Sequence, residues 1–210
     1  MEQLKEMIIK GKTKETAGKV KELLDSGTDP EAIMRESMIP AMDDVGDMFA
    51  KGEYYVPEML MAAKAMNLGL DVLKPILAEC DIEPLGKVVI GTVKGDLHDI
   101  GKNLAVMALE GAGFEVVDLG TDVSPDKFIE SIKEHNPSII GLSALLSTTM
   151  RSMKDTVDAI DKAGMRDKVK IMIGGAPVTQ KFTDEIGADF YAPDSTSGRN
   201  FARQAVSGEA

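Results

Sequence analysis

Along the first eighty residues the apolar positions recur at steps of three and four and never alternate, which is the period of helices and not of strands. A short helix is expected near residues 4–9, and an amphipathic one over Thr13–Asp25. Ser26-Gly27 stops the second, because glycine takes the left-handed position beyond a helix without a side-chain clash. Asp29-Pro30-Glu31 opens the third, with Asp29 as N-cap and Pro30 at the first helical position. There Met34, Met38, Met42, Val45 and Phe49 build one apolar face, and Lys51-Gly52 ends it. Beyond Tyr54-Tyr55-Val56-Pro57 a fourth helix carries Val56, Met59, Leu60, Ala63, Met66, Leu70 and Leu73 at helical spacing. Four helices joined by short turns predict a four-helix bundle.

The repeat breaks at Asp81-Ile82-Glu83-Pro84-Leu85, the expected linker and hinge between a helical domain over 1–85 and a second domain over 86–210. Past it, β-branched runs at 87–92, 114–119, 138–142, 168–173 and 189–192 alternate with helical segments. That alternation predicts a five-stranded parallel, doubly wound sheet of the flavodoxin-like kind, so the class is α + α/β. Ser195-Thr196-Ser197-Gly198 is a weak opening for the last helix, which is expected to begin near Gly198.

Composition narrows the function classes. The 210 residues carry 24 basic and 35 acidic side chains, a net charge of −11, and no basic tract. Nucleic acid and anionic membrane both need a positive face, so neither is an expected partner. No apolar run approaches the ~18 residues of a membrane span, and Met1-Glu2-Gln3-Leu4-Lys5-Glu6 lacks the pattern of a signal peptide; a cytoplasmic location is expected. Cys80 is the single cysteine, which excludes an internal disulfide and a thiolate metal cluster and suits a small buried hydrophobe. Nine of the fourteen methionines fall in residues 1–85, where the simplest reading is core filling.

In a doubly wound sheet, ligands bind beyond the carboxyl ends of the strands where strand order reverses. The loops after strands one, three and four are therefore the informative ones. They read Gly95-Asp96-Leu97-His98-Asp99-Ile100-Gly101, Ser143-Ala144-Leu145-Leu146-Ser147-Thr148-Thr149 and Gly174-Gly175-Ala176. His98 can hold a metal through one ring nitrogen while the other donates to Asp96, two residues earlier. The only other histidine, His135, lies beyond strand two, so a zinc site built from three or four protein ligands is not expected. A single imidazole suits a metal already held by a macrocycle, haem or corrin. Gly101, Gly174 and Gly175 would leave room for a long group beside the sheet. The GxGxxG turn of dinucleotide sites and the Walker phosphate loop are both absent.

Together Asp96-x-His98-x-x-Gly101, Ser143-x-Leu145 and Gly174-Gly175 resemble the corrinoid proteins of methyltransferase systems, and the cobalamin-binding module of methionine synthase. The helical half matches as well, through Val45-Gly46-Asp47-Met48-Phe49 and Gly52-Glu53-Tyr54-Tyr55-Val56-Pro57-Glu58. The resemblance implies that cobalamin binds base-off, its own nucleotide base displaced, with His98 as lower axial ligand to cobalt. Asp96 would hold the other ring N–H, and Thr149 would bond to Asp96; capping of a helix is the alternative for Thr149. Leu97, Asp99, Ile100, Leu146 and Ser147 would border the corrin. The displaced tail would pass Ser143, Leu145, Gly174 and Gly175, with Tyr191 and Ala192 walling the base. Tyr55, Met59 and Ala62 of the bundle would cover the upper face, moving aside on a hinge at 81–85 when a partner docks.

The implied function is that of a methyl carrier, not catalytic alone, cycling between cobalt(I) and methyl-cobalt(III). A substrate-specific methyltransferase would load it, a second methyltransferase with a pterin or thiol acceptor would unload it, and a reductive activator would rescue it. Because cobalt(I) prefers four-coordination, His98 would leave on reduction while Asp96 and Thr149 adjust its proton. The alternatives are a cobalamin storage or delivery protein and a cobalamin-based sensor. An adenosyl-radical mutase domain shares the aspartate–histidine–glycine motif but lacks the helical half.

Overall fold

The computed structural model describes residues 1–79 and 84–207; Cys80 and residues 81–83 of the expected linker lie outside the described residues. Two compact units form, one of Met1–Pro84 with Glu110–Gly113, the other of Leu85–Leu109 with the chain from Phe114 onward.

The first unit is helical, with α1 (Glu2–Ile9), α2 (Thr13–Asp25), α3 (Pro30–Ile33), α4 (Ile39–Ala50) and α5 (Val56–Glu79). Asp29 caps α3 by accepting a hydrogen bond from the Ala32 amide at 3.1 Å. The third predicted rod is interrupted between α3 and α4 by a π segment, Met34–Met38, in which the Ile39 amide reaches back to the Met34 carbonyl. Pro40 is the physical reason: it has no N–H to offer the carbonyl four residues before it, and a wider turn absorbs the gap. Met34, Met38, Met42 and Val45 are nevertheless all buried, as the spacing predicts. Helix α2 packs along α5, and α1 against α4 and α2. Gly69 permits the first of these approaches, since a Cβ there would stand 2.7 Å from Met38 Cε and 3.4 Å from side-chain atoms of Thr16 and Val20.

The second unit is the expected parallel sheet. Its strands β1 (Lys87–Thr92), β2 (Glu115–Asp118), β3 (Ile139–Ser143), β4 (Lys170–Gly174) and β5 (Phe190–Ala192) run in the order β2-β1-β3-β4-β5. Helices α6 (Ile100–Gly111), α7 (Pro125–His135), α8 (Met150–Lys162), α9 (Gln180–Ile186) and α10 (Ser195–Ser207) connect or follow them. The switch in strand order falls between β1 and β3. There the register pairs Thr92 with Ser143, Ser143 with Gly174, and Gly174 with Ala192. One row across the carboxyl edge thus ends four strands level, so their loops emerge side by side.

Strand β4 begins later than expected because Arg166–Lys168 close a 3-10 turn ahead of it. Helix α10 corrects the sequence expectation: it starts at Ser195, not near Gly198, because Asp194 accepts the Ser197 amide at 2.7 Å and caps the first turn. Stacking of Phe190 on Phe201, with ring centroids 4.3 Å apart, ties α10 to β5.

At the centre of the sheet, Phe128 of α7 is fully buried and its Cζ lies 3.0 Å from where a Cβ on Gly91 would be, so the ring fills the space that glycine leaves on β1. Phe128→Ala should lower the unfolding free energy by about 3–5 kcal/mol, measured by chemical denaturation; a loss under about 1 kcal/mol would show that the α7 face collapses into the gap.

Candidate functional site

At the switch point, the turn after β1 carries a carboxylate and an imidazole two residues apart. Asp96 is fully buried, while the His98 side chain is 50% exposed. His98 Nδ1 lies 2.7 Å from Asp96 Oδ1, which also accepts the His98 amide at 3.1 Å. The other oxygen, Oδ2, accepts the amides of Leu145 and Leu146 at 2.8 and 3.2 Å and the Thr149 hydroxyl at 2.7 Å. Burial by itself would push the Asp96 carboxyl up. The hydrogen bonds from Thr149, from the His98 ring and from the backbone amides of His98 and Leu145 outweigh it and hold the group well below the usual carboxylate range.

A carboxylate only accepts, so the neutral ring carries its proton on Nδ1 and leaves the Nε2 lone pair free. Among the described residues Nε2 has no hydrogen-bond partner. Thr149 stands at the N-cap of α8 but makes no side-chain capping bond. Its single hydroxyl proton faces two acceptors, Asp96 Oδ2 at 2.7 Å and the Leu146 carbonyl at 2.8 Å. The capping alternative therefore gives way to the bond with Asp96.

Four large apolar side chains stand open to solvent on these loops and at the first residue of α6: Leu97 and Ile100, 72% and 71% exposed, with Leu145 and Leu146. One metal-competent nitrogen beside exposed apolar side chains suits a metallated macrocycle, which brings its own equatorial donors and an apolar face to cover. Among the described residues no three His, Cys, Asp or Glu side chains gather to hold a bare metal ion. The residues at this site thus fit a corrin or haem.

Asp99, Gly101 and Ser147 are exposed beside this rim, and a Cβ on Gly101 would meet nothing within 4 Å, in keeping with the open space expected there. Ser143, Gly174 and Ala192 share the row of registered strand ends. The glycine pair has a reason in the protein's own packing. A Cβ on Gly174 would sit 2.9 Å from the Ala192 carbonyl oxygen, and one on Gly175, where φ is +136°, would overlap the Ala144 carbonyl. The protein's own backbone demands these glycines. Tyr191 packs against the sheet core. Tyr55 and Met59 belong to the helical unit, the first exposed and the second buried.

The loop after β2 was not among those singled out from sequence, yet Gly120 and Asp122 hydrogen-bond to the strand end and turn that carry His98. Its signal was the turn-forming pair of glycine and aspartate at a strand's carboxyl end.

A B12 binding domain model matches residues 86–197, from β1 into α10, and a second B12 binding domain model matches residues 1–74. Trimethylamine corrinoid protein 1 of Methanosarcina acetivorans is 45% identical over 177 residues, covering 83% of this chain and 82% of its own. The chain belongs to the corrinoid proteins of methyltransferase systems. A second relative of this corrinoid protein is the dimethylamine corrinoid protein of Methanosarcina barkeri, 42% identical over 197 residues and covering 93% and 92% of the two chains. Among solved structures, the methanol:cobalamin methyltransferase complex of Methanosarcina barkeri contains a chain with a TM-score of 0.88 at 26% identity, covering 98% of the corrinoid protein and 78% of that chain. Among the described residues no helix is long and apolar enough to cross a membrane.

The buried carboxylate gives this corrinoid protein an acid-sensitive site. Because the folded state lowers the Asp96 pKa, its contribution to stability is complete above the unfolded value of about 3.9 and fades as pH falls below it. The stability gap between wild type and Asp96→Asn, measured without cofactor by chemical denaturation, should narrow from about pH 6 to about pH 3; a gap that holds constant would contradict the assigned ionisation.

Proposed function

We propose that this corrinoid protein binds cobalamin base-off through His98 and carries methyl groups from a methylamine-specific methyltransferase to a second methyltransferase serving a pterin or thiol acceptor. The observation that carries the proposal is the half-exposed imidazole fixed on Asp96 through Nδ1, with Nε2 free and an open apolar rim around it. Support for the methylamine side comes from the tri- and dimethylamine corrinoid relatives, and support for a docked methyltransferase from the methanol:cobalamin complex.

When bound, cobalamin supplies the cobalt centre that takes up and gives up a methyl group. The chain's own residues set the conditions. His98 Nε2 would hold the cobalt, and Asp96 keeps the proton on Nδ1 so that Nε2 remains a donor. The Thr149 hydroxyl can turn between Asp96 and the Leu146 carbonyl, which adjusts how strongly Asp96 polarises the ring. Leu97, Ile100, Leu145 and Leu146 would exclude water from a bound corrin, with Asp99, Gly101 and Ser147 at the margin. Ser143, Gly174, Gly175, Tyr191 and Ala192 are the proposed border of the displaced nucleotide tail. No acid, base or nucleophile for the methyl donor itself is assigned to this chain, which is why loading, unloading and reductive activation are given to partner proteins.

The test is the visible spectrum of the purified protein after cobalamin is added and the excess removed, beside His98→Ala. Retained corrin with the base displaced and an imidazole on cobalt, the imidazole signature lost in the variant, is the expected result. A wild type that retains no corrin would remove the proposal. Methyl transfer from trimethylamine or dimethylamine in the presence of the cognate methyltransferase then separates a carrier from a storage protein.

A further inference from the structure

The His98 turn is held from two sides, and only one of them is the Asp96 side chain. Thr92, fully buried at the end of β1, donates its hydroxyl to the His98 carbonyl at 3.0 Å. The Thr92 amide donates to the Gly120 carbonyl at 2.9 Å, and its carbonyl accepts the Val123 amide at 2.9 Å. All of its polar groups are therefore spent, two on the loop after β2 and one on the histidine.

Asp122 of that loop adopts the left-handed conformation, φ +56°, one of only two non-glycine residues to do so among the described residues. Aspartate tolerates this region better than most residues, and the conformation turns both its amide and its carboxylate toward the β1 turn. The amide donates to the Asp96 carbonyl at 3.0 Å, and Oδ1 accepts the Gly95 amide at 2.7 Å. Asp118 braces the same loop, taking the Gly120 amide on Oδ1 at 2.9 Å and the ammonium of buried Lys102 on Oδ2. Lys102 lies four residues past His98, in the first turn of α6. The turn is thereby pinned before, at and after the histidine.

We infer that the loop after β2, through Asp122 and through Thr92, which bonds to Gly120 and Val123 of that loop, positions the His98 backbone and so the imidazole for metal ligation. The two supports divide the work. Asp96, anchored to the loop after β3, sets the rotation and tautomer of the ring and takes the His98 amide; Thr92 takes hold of the His98 carbonyl, and Asp122 holds the turn just before it. With the backbone pinned, a change in ligation moves the ring and leaves the turn in place. These are positioning residues, since neither touches the ligating nitrogen.

The inference rests on His98 being the axial ligand, so it is tested with and without cobalamin, using Asp122→Ala, Asp122→Asn, Thr92→Val and Thr92→Ser. Without cofactor, amide hydrogen exchange at Gly95 should rise about tenfold in Asp122→Ala and stay near wild type in Asp122→Asn, which keeps an acceptor oxygen and tolerates the left-handed region. With cobalamin, Asp122→Ala and Thr92→Val should retain the corrin while the imidazole-ligated fraction in the visible spectrum falls; Asp122→Asn and Thr92→Ser should restore it. Unchanged Gly95 exchange in Asp122→Ala, or an unchanged ligated fraction in a wild type and variants that all bind cobalamin, overturns the positioning role and leaves the carrier proposal standing. A wild type that binds no cobalamin overturns both.

Discussion

The site depends on one buried charge. Asp96 has no exposed surface, and an ionised carboxylate taken out of water costs several kcal/mol unless its lone pairs are met. Five hydrogen bonds meet them, two from His98 and three from Leu145, Leu146 and Thr149. The donors lie some fifty residues apart in sequence, so the carboxylate is satisfied only when the turn after β1 and the loop after β3 are both folded and adjacent. Withdrawing the donors would leave the charge stranded, which makes the His98 geometry a condition of the local fold as much as a consequence of it.

Strand order makes that adjacency possible. With β3 beside β1, the chain leaves the sheet to opposite faces on either side of the switch, and the loops between them open outward. The registered row of Thr92, Ser143, Gly174 and Ala192 then keeps the openings level. Tight packing continues along the edge at Gly174 and Gly175, whose missing side chains let β4 meet the Ala192 and Ala144 carbonyls. The rim beyond is different in kind: Leu97, Ile100, Leu145 and Leu146 are apolar yet uncovered, a state a folded domain maintains where it expects company.

How far the sequence revealed this follows from the type of interaction. Period located the helices, because burial selects residue type at every third or fourth position, while short β-branched runs located the strands, of which β1 and β3 are buried on both faces. The Asp96 and His98 pair was legible because both contribute side chains at close spacing, whereas linking Thr149 to them, fifty-three residues on from Asp96, took the family resemblance. The loop after β2 escaped because it acts largely through backbone groups, the Gly120 carbonyl and the amides of Asp122 and Val123, which every residue possesses. At the π segment, Pro40 was visible but its effect was not: the methionine spacing holds across Met34 to Val45 whether or not one turn widens. The start of α10 turned on a single cap, Asp194, outside the weak helix formers that drew attention.

The same arithmetic of hydrogen bonds says how the site can change state without coming apart. Only one of the five bonds to Asp96 involves the imidazole ring; the other four come from backbone amides and the Thr149 hydroxyl. Breaking the ring's bond forfeits one charge-assisted interaction, about 1.5–3 kcal/mol, while the carboxylate stays buried and mostly satisfied. The backbone beneath the ring is tied separately, through Thr92 to the His98 carbonyl. In the proposed role, an imidazole half in solvent, on a turn held from two sides, would leave and rejoin a metal by moving a few side-chain atoms. A ligand whose departure unravelled its own loop would have to refold each time it left; His98, as the proposed ligand, would only have to rotate.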